Sequence, residues 1–216
     1  MDNDDKLTSK LLACGAIAGP FYILVGVAQI LTRDGFDVRR HALSLLSNRR
    51  FGWIQIGNFL VSGILVLLGA AGMRRWLHPG KCGTWGPLLT GIYGVGLIGA
   101  GIFSADPGNG FPPGTPVVAN GISTSGLLHF VFGGIGFYAL IAACFVFARR
   151  FAAAQRWAWT VYSVFTGVFF FLAFAAIASG SKSSVMILTF YAAVAWAWGW
   201  HAALSATLLR ESLNGA

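Results

Sequence analysis

Six apolar stretches, each about 20 residues long, leave this chain little choice of solvent. They run at about 11–31, 53–73, 85–103, 125–148, 157–178 and 184–209 of 216 residues. A run of that length crosses the hydrocarbon core of a bilayer as a helix, because only there do all its backbone polar groups bond within the segment. Composition points the same way: with 56% hydrophobic and 10% charged residues, the chain carries more apolar surface than one soluble core of this size could hide. The expected architecture is all-α, a single domain over 1–216 built as an integral membrane bundle of six transmembrane helices.

The net charge of +8 does not point to nucleic acid. Its basic residues sit at the ends of apolar runs, where they anchor helices, and no basic soluble face is left for phosphate contacts. With the N-terminus inside, the inner segments carry Lys6, Lys10, Arg74, Arg75, Lys81, Arg149, Arg150, Arg156 and Arg210, nine in all. The outer segments carry six: Arg33, Arg39, Arg40, Arg49, Arg50 and Lys182. The positive-inside rule therefore predicts both termini cytoplasmic, and the expected location is the plasma membrane. Cys14, Cys82 and Cys144 all fall near the inner side, in no metal-binding spacing. Leu11-Leu12-Ala13-Cys14 imitates a lipoprotein cleavage box, but MDNDDKLTSK before it lacks the basic start and apolar run of a signal peptide.

Glycine is frequent, with Gly15 and Gly19 in the first run and Gly91, Gly94, Gly96, Gly99 and Gly101 in the third. Small residues let helices approach closely in lipid, which is the expected role here. Gly94 to Gly99 also fits GxGxxG, yet it lies inside a spanning helix with no strand before it. Homo-oligomerisation through such faces is compatible with the sequence, and nothing in it demands one oligomeric state.

The first loop, 32–52, breaks the charge pattern, since Arg33, Arg39, Arg40, Arg49 and Arg50 lie on the outer side. From Val38 to Asn48, helical spacing puts Arg40, His41, Ser44, Ser47 and Asn48 on one face and Val38, Ala42, Leu45 and Leu46 on the other. This predicts a short helix lying in the outer interface between the first and second spanning helices. Arg39 and Arg40 are then placed to hold an anionic lipid headgroup through charge-assisted hydrogen bonds. The plainer alternative is a solvated face that anchors the loop to lipid phosphates.

The third loop, 104–124, is rich in Gly and Pro and predicts a stiff, non-helical excursion. Its Asp106 is the only acid between Asp37 and Glu211. A lone carboxylate facing arginines at the lip of a bundle is expected to pair or to bind a cation, unless it only shapes the turn before Pro107. His129 lies in the first turns of the fourth helix, which begins on the same side. His41, Ser44, Asp106 and His129 form the candidate catalytic set. His41, Asp106 and His129 are also metal candidates, with zinc and a bound water as the cofactor chemistry. A Ser44 nucleophile with a histidine base oriented by Asp106 is the second option, and a simple His–Asp lock between loops the third. His78, in an inner loop, and His201, deep in the sixth run among Trp196, Trp198 and Trp200, stand apart.

Three segments carry a family resemblance: HALSLLS at His41–Ser47, FSADPGNGFPPGTP at Phe103–Pro116 and GLLH at Gly126–His129. In order and spacing they resemble the prokaryotic membrane proteins grouped as domain of unknown function 998. The family pattern often has an acid and a glycine after the serine, where this chain has Leu45, Leu46 and Ser47. The resemblance implies a six-helix membrane protein over nearly the whole chain, without an assigned activity. A Ser/His/Asp set at a membrane face is similar to that of membrane hydrolases of the alkaline-ceramidase superfamily, although their metal-histidine spacings do not occur here. Two functional readings follow. In one, the outer face binds or processes an anionic lipid or amphiphile, with membrane lipids as partners. In the other, the protein is a non-catalytic transporter, sensor or packing partner in which these residues are structural.

Overall fold

A computed structural model of the protein describes residues 3–116, 121–180 and 182–214. It contains helices α1 (Asn3–Thr32), α2 (Gly52–Leu77), α3 (Lys81–Ile102), α4 (Thr124–Ala153), α5 (Trp157–Ala178) and α6 (Ser184–Asn214). All six are long and apolar enough to cross a membrane. The chain is a multi-pass membrane protein built as a six-helix bundle. Several helices outrun the apolar stretches that announce them. α1 begins at Asn3 rather than near residue 11, because Asp4 and Asp5 suit a helix N-terminus and polar turns continue the backbone ladder. Arg75 ties this start to the end of α2, bonding Asp4 at 2.9 Å and the Thr8 hydroxyl at 3.1 Å.

Each helix packs against the next in sequence, and α6 closes the ring on α1. Glycine permits the close crossings. A Cβ on Gly15 would fall 3.1 Å from Gly69 Cα, and one on Gly96 would fall 2.7 Å from both the Phe132 carbonyl and Gly136 Cα. In lipid, where burial no longer drives association, such backbone approach supplies the van der Waals contact that holds helices together. Polar bonds add to it. Buried Gln29 donates to Gln55 Oε1 at 2.8 Å and buried Asn58 to the Tyr22 carbonyl at 3.1 Å, joining α1 to α2. Trp200 and Trp196 donate to Ser163 (3.0 Å) and Thr166 (3.1 Å), joining α6 to α5.

The first loop differs from the expected interfacial helix. Asp37 to Arg40 form a turn, and only Leu43–Ser47 is helical, as a short 3-10 helix. The physical reason is that its apolar side finds a protein partner instead of lipid. Leu45 and Leu46 are buried with Ala105 and Phe111 of the third loop, and Ile30, Phe36 and Leu43 pack around them. Arg33 donates to the Leu46 and Asn48 carbonyls at 3.2 and 2.8 Å, and Asn48 Nδ2 donates to Leu45 and Ala105 carbonyls at 3.0 and 3.1 Å. Among the described residues the two long loops thus form one folded cap over one end of the ring. Positions 117–120 of the third loop lie outside the described residues.

Candidate functional site

His41 sits buried within the cap with both ring nitrogens engaged. Nδ1 accepts the Asp37 backbone N–H at 2.9 Å, so Nε2 carries the proton and donates it to the Asn109 carbonyl at 3.1 Å. Asn109 Nδ2 returns a bond to the Arg40 carbonyl at 3.3 Å, and the Tyr191 hydroxyl donates to the His41 carbonyl at 2.8 Å. His41 therefore joins the first loop, the third loop and α6. In this arrangement it has no free lone pair for a metal or for a proton.

Asp106 gives both oxygens to Ser123: Oδ2 accepts the backbone N–H at 2.8 Å and Oδ1 accepts the hydroxyl in a short bond. The Ser123 oxygen in turn accepts the Gly126 N–H at 3.0 Å and caps α4. A carboxylate here meets the positive end of the helix. A side chain at Gly126 would collide with it. The arginine pairing expected of Asp106 is made by Asp37 instead. Arg39 grips both Asp37 oxygens at 3.0 Å, and these bonds push the Asp37 carboxyl down to about 2. Arg40 is exposed beside this pair.

His129 is organised differently. Its Nδ1 lies 2.9 Å from the carbonyls of both Ala100 and Phe103 at the C-terminal end of α3. Both neighbours are acceptors, so Nδ1 bears the proton and Nε2 keeps a lone pair. Carbonyls at a helix end are short of intrahelical donors and form the negative pole of the helix, which makes them good receivers for this proton. Nε2 has no hydrogen-bond partner among the described residues.

His129 lines a cavity of about 140 Å³ inside the helix ring, with Ser44, Tyr22, Tyr93, Tyr191 and Trp198 around it. Six phenylalanines and small or aliphatic residues supply the remaining wall, and among the described residues no Lys, Arg, Asp or Glu lines it. Phe137 closes one part edge-on against Phe170, Phe174 and Phe190, at 5.0, 5.1 and 5.9 Å between ring centres. One turn nearer the cap, Gly133 and Gly134 line the same cavity, and a Cβ at either would meet nothing within 4 Å. Phe130 beyond them is 63% exposed. The α4 wall has a gap in its side chains there.

The structure thus brings Ser44 and His129 to one cavity and leaves His41 and Asp106 in the cap as loop and helix fasteners. Neither Arg39 nor Arg40 lines the cavity. Among the described residues no three His, Cys, Asp or Glu side chains come together as a group that could hold a metal ion. His41, Asp106 and His129 accordingly do not form the three-ligand set that zinc with a bound water uses. Sequence reasoning missed Tyr22, Tyr93, Tyr191, Gly133 and Gly134. Adjacent glycines inside a spanning helix were the one available signal for the last two.

No curated protein and no solved structure matches the chain. A family model does, over residues 16–207, from α1 through both capping loops and well into α6. By that match the chain belongs to the family described as Protein of unknown function (DUF998).

Proposed function

We propose that the protein binds the polar end of a membrane lipid or similar amphiphile in the cavity between its helices, at the outer face of the cell membrane. The observation that carries this reading is that Nε2 of His129, a residue on the wall of a mostly apolar cavity, has no partner among the described residues. A mostly apolar pocket with a few convergent polar groups is the usual form of a small-ligand site. His129 accepts a hydrogen bond from the ligand, and Ser44, also without a side-chain partner among the described residues, supplies a hydroxyl. The gap at Gly133 and Gly134 lets the rest of the chain lie in the bilayer. His41 and Asp106 act at one remove, holding the loops that place Ser44 and the start of α4. Arg40 stays at the rim, free to meet lipid phosphate as an anchor.

A second reading, lipid hydrolysis, draws on the same pair. Backbone carbonyls fix the His129 tautomer as a carboxylate does in a Ser–His–Asp triad, leaving Nε2 as a base for Ser44. Ester turnover that disappears in Ser44→Ala would favour it.

The test of binding is to purify the protein in mild detergent and identify co-extracted lipid by mass spectrometry. Wild type should retain a defined lipid at near-stoichiometric level, and Gly133→Leu, which fills the gap, should lose it. Equal lipid content in the two proteins, or none in wild type, would overturn the proposal.

A further inference from the structure

We infer that the group this cavity accepts is uncharged and bears a hydroxyl, as in a long-chain or isoprenoid alcohol or the free hydroxyl of a neutral glyceride. The inference rests on the binding reading above and specifies its chemistry. Among the described residues, an anionic head would enter a site lined by no Lys or Arg, and a cationic head one lined by no Asp or Glu. A charge taken from water into such surroundings loses its hydration and gains no counter-ion, and burial of an unpaired charge is strongly unfavourable. None of the first-loop arginines lines the cavity, and exposed Arg40 reaches a phosphate only outside it. Arg33 is spent on the Leu46 and Asn48 carbonyls and Arg39 on Asp37.

The polar groups that do line the cavity select further. His129 is 8% exposed, and its Nδ1 proton is committed to two carbonyls. Its Nε2 therefore asks for a donor. Phosphate, carboxylate and ester oxygens carry only lone pairs, and a trimethylammonium group has no N–H. A hydroxyl donates to Nε2 and still accepts from Ser44 or from a tyrosine hydroxyl of the same wall, of which Tyr191 is already spent on the His41 carbonyl. Size agrees. A cavity near 140 Å³ is close to the ~150 Å³ that encloses a benzene molecule. It holds a hydroxyl with its first few carbons, and the rest of the chain leaves past Gly133 and Gly134.

Competition among four ten-carbon amphiphiles tests this. Full-length protein in nanodiscs is labelled with a decanol derivative bearing a diazirine beside its hydroxyl. 1-Decanol, decyl methyl ether, decyl phosphate and decyltrimethylammonium compete at equal mole fraction in the bilayer. Decanol should compete about tenfold better than the ether, as loss of one buried hydrogen bond predicts. Both charged amphiphiles should compete more weakly still. In His129→Phe the advantage of decanol over the ether should vanish. An ether equal to decanol would overturn the hydroxyl assignment, and a charged competitor equal to or better than decanol would overturn neutrality; either result leaves amphiphile binding intact. Failure of all four to compete would overturn the binding reading together with this one.

Discussion

His129 on α4 and Ala100 on α3 are joined by an Nδ1–H to carbonyl bond of 2.9 Å, with the Phe103 carbonyl as a second acceptor at the same distance. One side chain on the cavity wall thus closes the end of α3 and, by fixing its own tautomer, leaves Nε2 as an acceptor. His129→Phe removes both functions. It should lower stability by about 1–3 kcal/mol, the penalty for leaving buried carbonyls without a donor, read by thermal unfolding in detergent. Unchanged stability would show that these bonds do not hold α3 to α4.

Asp106 and Ser123 should act as one unit at the start of α4. Asp106→Ala or Ser123→Ala alone should each cost about 1–2 kcal/mol through loss of the cap and of the charge at the helix N-terminus. The double variant should cost clearly less than the sum, as for residues in one network. Additive losses would separate the two residues, and loss of bound lipid in folded Asp106→Ala would place the carboxylate in the site instead.

The glycines divide into two classes that a single substitution distinguishes. Gly96→Leu drives a side chain into the Phe132 carbonyl and the Gly136 backbone, so it should abolish a monodisperse folded protein. Gly133→Leu enters open space and should leave thermal stability within about 1 kcal/mol of wild type. Size-exclusion profiles and unfolding temperatures check both, and a Gly133→Leu protein that fails to fold would contradict the gap in α4.

His201 lies buried in α6 near the Gly15 backbone, with neither ring nitrogen in hydrogen-bond geometry with any described residue. Replacing an unsatisfied buried polar group by an apolar one of similar size relieves its desolvation cost. His201→Leu should therefore unfold at the same temperature as wild type or higher. A clear fall would mean that a bound water or ligand satisfies this histidine.

The six helices were legible in the sequence because membrane spanning is a local property: about 20 apolar residues suffice to state it. The first loop was not legible in the same way. Its periodicity over Val38–Asn48 was real, but Phe111, the partner that draws Leu45 and Leu46 inward, lies more than 60 residues away in sequence. His129 could be picked out as an ionisable residue at a helix start, whereas its partners are backbone carbonyls that no residue type announces. Asp106 stood out as a lone acid, and its use as a helix cap needed the position of Ser123. The cavity itself is a space between aromatic side chains of six helices, and Tyr93 or Trp198 in an apolar run carries no mark of facing it.

The most direct measurement of the central claim is photolabelling of the full-length protein in its native membrane, using a lipid-like alcohol with a diazirine beside the hydroxyl. Peptide mapping should place the label on cavity residues such as Phe137, Phe174, Tyr93 and Trp198, and Gly133→Leu should suppress it. Labels confined to exposed outer faces, at Leu24, Ile64 and Val161, with no change in Gly133→Leu, would contradict a ligand site within the bundle.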